Sequence, residues 1–87
     1  MTRLDVEAYA DAAGIVLVLA TGFDDCIVGI GEQFNRAFVV YDRAKVIASL
    51  MRGGLAWEEA EEHFGVNIVG AYVGEETPCF LTTSLRM

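Results

Sequence analysis

The run WEEAEEHF, residues 57 to 64, holds the side chains of this chain best placed to act on another molecule. On a helix, Glu58 and Glu62 lie four positions apart, and Glu58–Glu61 and Glu59–Glu62 three apart. Their carboxylates therefore crowd one surface with no Lys or Arg between them. Each like-charge pair costs an isolated helix about 0.2 to 0.5 kcal/mol. That cost acquires a use if a basic partner docks there, and Glu58, Glu59, Glu61 and Glu62 are the first candidates for a partner-binding face. The competing reading is a solvated helix surface whose acids are offset by the positive end of the helix dipole.

Asp24 and Asp25, and Glu75 and Glu76, form two further acidic pairs and the second choice for that face. Paired carboxylates can hold a divalent cation or move protons. Two adjacent acids at the start of a strand point to opposite sides, however, and no third oxygen ligand has a defined place, so Asp24 and Asp25 read first as turn formers. The spacing of cysteines and histidine offers no metal motif: Cys26 and Cys79 lie far apart, each inside an apolar run, and read as buried reduced thiols. His63 falls at the end of a helix, where its charged form would favour the dipole's negative end. A nucleophile built from a cysteine with His63 and an aspartate would need spatial convergence that spacing does not supply. Phe34, Asn35 and Arg36 make an aromatic and cationic cluster on a tight connection, of the kind binding hot spots use, although turn chemistry with a single apolar contact is the favoured reading.

Composition bounds what these residues can serve. The chain has 87 residues, 54% of them hydrophobic, and a net charge of −7 from 13 acidic and 6 basic side chains. That length makes one domain with a single modest core, too small to enclose a deep pocket without a second subunit or a cofactor. The charge argues against direct binding to nucleic acid or an anionic membrane and in favour of a positively charged partner, although acidity also serves solubility. No cofactor or metal is expected. The first residues, MTRLDVEAYADAAG, do not read as a secretory signal, and AAGIVLVLA is about half of the ~20 residues a membrane span needs, so a soluble cytoplasmic protein is expected.

The elements that must position the candidates follow from the apolar spacing. Asp5 is a candidate N-cap, and Leu4, Ala8, Ala12, Ile15 and Leu19 recur at helical intervals, predicting a helix over 5–20 that stops near Gly22; a buried strand over Ile15–Val18 is the alternative. The runs around CIVGIG and AFVVY predict an antiparallel hairpin about the turn EQFNR, with something packed closely over the glycine face of the first strand. Asp42 caps a second helix carrying Val46, Ile47, Leu50 and Met51 to the core, with Arg52 favourable at its end and Gly53 and Gly54 as its stop. Trp57, Ala60 and Phe64 share the inner face of a third helix. VNIVGAYV and CFLTT, joined by GEETP, predict a closing hairpin. The expected fold is α+β: a four-stranded antiparallel sheet of two hairpins, helices on one face, in the order helix, two strands, two helices, two strands.

DDCIVGIG, VVYDRAKVIASLMRGG, WEEAEEHFGVN and VGAYVGEETPCFL, in this order and spacing, resemble a family of small acidic proteins of phages and bacterial mobile elements, mostly of unknown function. The resemblance begins at Asp24 and implies no catalytic residue. By its genomic setting it implies an inhibitor of host defence, anti-CRISPR proteins among them. The family places Thr before the EEA helix where this chain has Ala56, leaving the capping box with Glu59 incomplete and the helix start weaker by about 0.5 to 1 kcal/mol.

The expectation is thus a non-enzymatic inhibitor that lays an acidic face on a basic, nucleic-acid-binding surface of a host complex, acting as a monomer or homodimer. The alternative is a small-molecule or nucleotide-sequestering dimer, with GIG and GAYVG lining its pocket. Against it, GIG lacks the following helix that a phosphate loop requires.

Overall fold

The computed structural model describes residues 1–70, 74 and 76–83. The first helix, α1, spans Arg3–Ala13 and is set by its ends. Thr2, not Asp5, is the N-cap: Asp5 N donates to Thr2 Oγ1 at 3.2 Å, and Thr2 N donates to Asp5 Oδ2 at 2.9 Å. Hydrogen bonds to the carboxylate from the Thr2 backbone N–H and then its side chain hold the Asp5 carboxyl below its ordinary pKa. At the other end, Gly14 takes a left-handed conformation with φ of 68°. Gly14 N then reaches Asp11 O at 3.3 Å and Ile15 N reaches Ala10 O at 3.0 Å, a Schellman closure. The helix therefore stops at Gly14 rather than near Gly22, and Ile15 to Ala20 run on as irregular chain. Leu17, Leu19 and Ala20 still pack on the core.

After a 3₁₀ turn at Asp24–Cys26 come strands β1, Ile27–Gln33, and β2, Arg36–Asp42. They pair antiparallel from Ile27 opposite Tyr41 to Gln33 opposite Arg36, with a bulge between Ile27 and Gly29. The connection is only Phe34 and Asn35, because Glu32, Gln33 and Arg36 of the expected turn EQFNR extend the strands. The expected close packing over the glycine face occurs at one of its two glycines. A Cβ on residue 31 would lie 2.6 Å from Phe38 Cε2 and 3.1 Å from Val40 Cγ2, whereas Gly29 has open space.

Helix α2, Arg43–Arg52, begins on Asp42 as its sequence predicts, and α3 spans Trp57–His63. Beyond α3 the expected closing hairpin does not form among the described residues. Phe64–Val69 continue as a π-helical turn, and β3, Cys79–Leu81, pairs parallel to β2, with Tyr41 opposite Phe80. Ala60, Phe64 and Ile68 recur at four-residue intervals and keep the chain helical so that all three meet the core. Gly70 consequently ends this turn with φ of −73° and lies in no strand, and Ala71 to Val73 lie outside the described residues.

The class is α+β, and the described residues form a three-stranded mixed sheet in the order β1-β2-β3 in place of the expected four-stranded antiparallel one. Val39 and Tyr41, two apart on the central strand, share a core with Val6 of α1, Val46 and Ile47 of α2, Ala60 of α3, and Phe64. Met51 and Trp57, expected inside, are each 41% exposed. Among the described residues no helix is long and apolar enough to cross a membrane.

Candidate functional site

The acidic helix is held by what precedes it. Asp42 Oδ1 accepts from Ala44 N at 2.9 Å and from Lys45 N at 3.4 Å, satisfying two donors that the start of α2 would leave bare. Gly53 and Gly54, the latter with φ of 115°, reverse the chain, and Ala56 opens α3. Alanine has no side-chain acceptor, so only half of a capping box exists here: Ala56 N donates to Glu59 Oε1 at 2.9 Å. Ala56→Thr supplies the missing half and is expected to raise the unfolding free energy by about 0.5 to 1 kcal/mol in urea titrations, with no change in the native circular-dichroism spectrum.

Glu61 is committed as well. Its carboxylate is gripped by both terminal nitrogens of Arg43, with Arg43 Nη1 at 3.1 Å from Oε2 and Nη2 on Oε1. The same guanidinium lies 5.0 Å above the Phe64 ring. Arg43 thus clamps α3 to the first turn of α2 through a bidentate ion pair and a cation–π contact. Of the four glutamates, one closes its own helix and one holds the helix in place. Glu58 and Glu62 remain, both exposed and neither in a hydrogen bond or ion pair among the described residues. Trp57 adjoins them, lining with Met51, Ile47 and Arg43 a shallow groove of about 220 Å³ between α2 and α3.

The other candidate acids lie in different surroundings. Asp24 Oδ2 is 3.8 Å from Arg3 Nη1, while its Oδ1 is buried with no partner among the described residues. Asp25 is exposed, in a corner where the charges of Arg52 and Lys45 also reach the Cys26 thiol. That corner carries both signs and does not extend the face formed by Glu58 and Glu62. Glu75 lies outside the described residues, and Glu76 lines a groove with Phe34 and Arg36 at the tip of the β1–β2 hairpin.

His63 contacts Asn67, Nδ1 to Nδ2 at 3.3 Å, rather than a cysteine. Because the chain stays helical through Val69, His63 does not face the free carbonyl end that its sequence position suggests. Burial raises the thiol pKa of both Cys26 and Cys79, the opposite of what activates a nucleophile. No group of three or more His, Cys, Asp or Glu side chains suited to a metal ion occurs among the described residues. The GIG segment sits mid-strand with Phe38 across Gly31 and leads into a hairpin, so it offers no helix N-terminus to a phosphate.

Sequence reasoning passed over two features. The spacing of Trp57 from Ala60 and Phe64 predicts an inward ring, yet it lies beside a groove that it lines with the small Ala44 and Ala48. Tyr9, Ile15 and Val16 join Phe34 in lining the hairpin-tip groove. The left-handed stop at Gly14 was the signal that could have placed Ile15 and Val16 outside a helix. In comparisons with protein-family models, curated proteins and solved structures, nothing matches this chain.

Proposed function

We propose that the protein works by binding: a non-enzymatic inhibitor that covers a basic, nucleic-acid-binding surface of a partner protein with the outer side of α3. Glu58 and Glu62 supply the charge and Trp57 the apolar anchor. The observation that carries this reading is the division of labour on α3. Glu59 and Glu61 are spent on structure, while two carboxylates one turn apart have no partner among the described residues, on a helix that Arg43, Ala60 and Phe64 hold in place. An exposed tryptophan beside a charged rim is the composition hot spots favour. The net charge of −7 steers a basic partner toward the molecule. Host-defence complexes are the partner class that the resemblance to phage proteins suggests, and their nucleic-acid channels have the required sign.

The test is a comparison of the wild type with Glu58→Lys/Glu62→Lys as bait in a host lysate, followed by affinity measurement on the captured protein. A nucleic-acid-binding protein is expected with the wild type, displaced by added DNA or RNA. The double variant is expected to lose affinity by about 10-fold or more, at roughly 1 kcal/mol for each close charge contact in a water-like dielectric. Raising salt from 0.1 to 0.5 M should weaken the wild-type complex in the same direction. Equal affinity for both proteins, unaffected by salt, would remove the electrostatic reading.

A further inference from the structure

We infer that two copies of this chain associate through the tip of the β1–β2 hairpin, each placing Phe34 in a groove of the other. Phe34 has φ of 57° and is 92% exposed. It is the first of the two residues that turn the hairpin, where a positive φ is normally supplied by glycine. A bulky aromatic residue there is strained and leaves its ring in water, and no described neighbour gains from either cost. An outlier of this kind marks a residue kept for a contact outside its own chain.

The receiving surface lies alongside. A groove of about 480 Å³ is lined by Tyr9, Ile15 and Val16 on one side and by Phe34, Arg36 and Glu32 on the other. Val16 is 77% exposed, and Tyr9 and Ile15 are partly so. A projecting ring beside an apolar groove on one face is self-complementary: a twofold axis between them seats both rings at once, whereas an unrelated partner would use only one of the two shapes.

Charge selects the same occupant. The rim carries Arg36 together with Glu32 and Glu76, so twofold symmetry can set the arginine of one copy against the acids of the other. A basic partner would meet that arginine. If wholly covered, the four apolar side chains of each copy would bury roughly 900 Å² in total, the size of a weak, transient interface, so the dimer is expected to form only as protein concentration rises.

The hairpin tip is the end of β2 remote from Asp42, where α2 begins, and seven strand residues separate the two by about 20 Å. Pairing through the tip therefore leaves Glu58 and Glu62 of both copies free, making the assembly bivalent. The inference does not rest on the proposed function, because self-association is read without any partner.

Sedimentation velocity from about 1 to 500 μM tests it. The wild type is expected to pass from monomer to dimer within that range, and so is Glu58→Lys/Glu62→Lys. Phe34→Gly is expected to stay monomeric throughout, with a urea midpoint equal to or above that of wild type because the turn is relieved. Val16→Asp, at an exposed site away from the turn, is expected to be monomeric too. A wild type that remains monomeric at 500 μM, or a Phe34→Gly protein that dimerises as wild type does, would overturn the inference.

Discussion

Phe64→Ala is expected to leave the protein largely unfolded at 37 °C. Phe64 is 3% exposed, and its ring meets Phe80 edge-to-face with centroids 5.1 Å apart. Phe80 in turn lies 5.7 Å from Tyr41 on the central strand, and Arg43 covers the other side of Phe64. One ring thus joins the end of α3, the short strand β3, the sheet and the clamp of α2. Truncating a buried phenylalanine costs about 3 to 5 kcal/mol, comparable with the whole stability of a domain of this size at the low end of the usual range, ~0.05 kcal/mol per residue. Thermal and urea melts followed by circular dichroism measure the effect. Phe64→Leu, which keeps most of the volume but not the edge-to-face or cation–π geometry, should lose less. A loss under about 1 kcal/mol for Phe64→Ala would show that the cluster is not what closes the fold.

Tyr41→Phe is expected to cost about 1 to 3 kcal/mol, from a single oxygen. Tyr41 is fully buried, and its hydroxyl accepts a hydrogen bond from Ala20 N at 2.7 Å. Ala20 belongs to the irregular run after Gly14, which joins no strand pairing among the described residues, so removing the oxygen leaves an inward donor unmatched. The variant also carries a pH signature. Burial, outweighing the Ala20 bond, raises the Tyr41 pKa above its ordinary value. The unfolded chain therefore ionises first, near pH 10, while the native tyrosine keeps its proton, and stability falls as pH rises above about 10. Tyr41→Phe should be less stable than wild type at pH 7 and lose less between pH 9 and 11. Equal stability at pH 7, or parallel alkaline losses in the two proteins, would contradict the assigned role of the hydroxyl.

The parts of this fold that sequence makes legible are those whose signals are local. Asp42 and Gly53 bracket α2 where their types demand, and the apolar runs before and after Phe34 form the first hairpin. The segments that resist reading carry two periods at once. Val66 and Ile68 alternate as a strand would, but Ala60, Phe64 and Ile68 keep a four-residue interval, and the core on the sheet selects the second. The apolar spacing favours a helix through Ile15 to Leu19, with a strand over Ile15–Val18 as the alternative, and the left-handed Gly14 ends the helix before them.

The candidate site was legible as composition but not as arrangement. Four glutamates look alike in sequence; an arginine 18 positions away decides that Glu61 is a structural anchor, and the backbone N–H of Ala56 claims Glu59 for its own helix end. The exposure of Phe34 and Trp57 is equally non-local. Each depends on what the rest of the chain fails to bring over it.

The parallel pairing of β3 with β2 also sets the order of events at synthesis. β2 is central, yet its second neighbour begins only at Cys79, with two helices intervening. As the nascent chain emerges, the hairpin and α2 can form at once, while β2 keeps a bare edge and the rings of Tyr41 and Phe64 lack Phe80 between them. The strand that seals this edge is thus made after everything it packs against, so the sheet can close only once Phe80 has emerged. Until then an unpaired strand edge, built from the valine-rich middle of β2, is open to other chains in the crowded polysome.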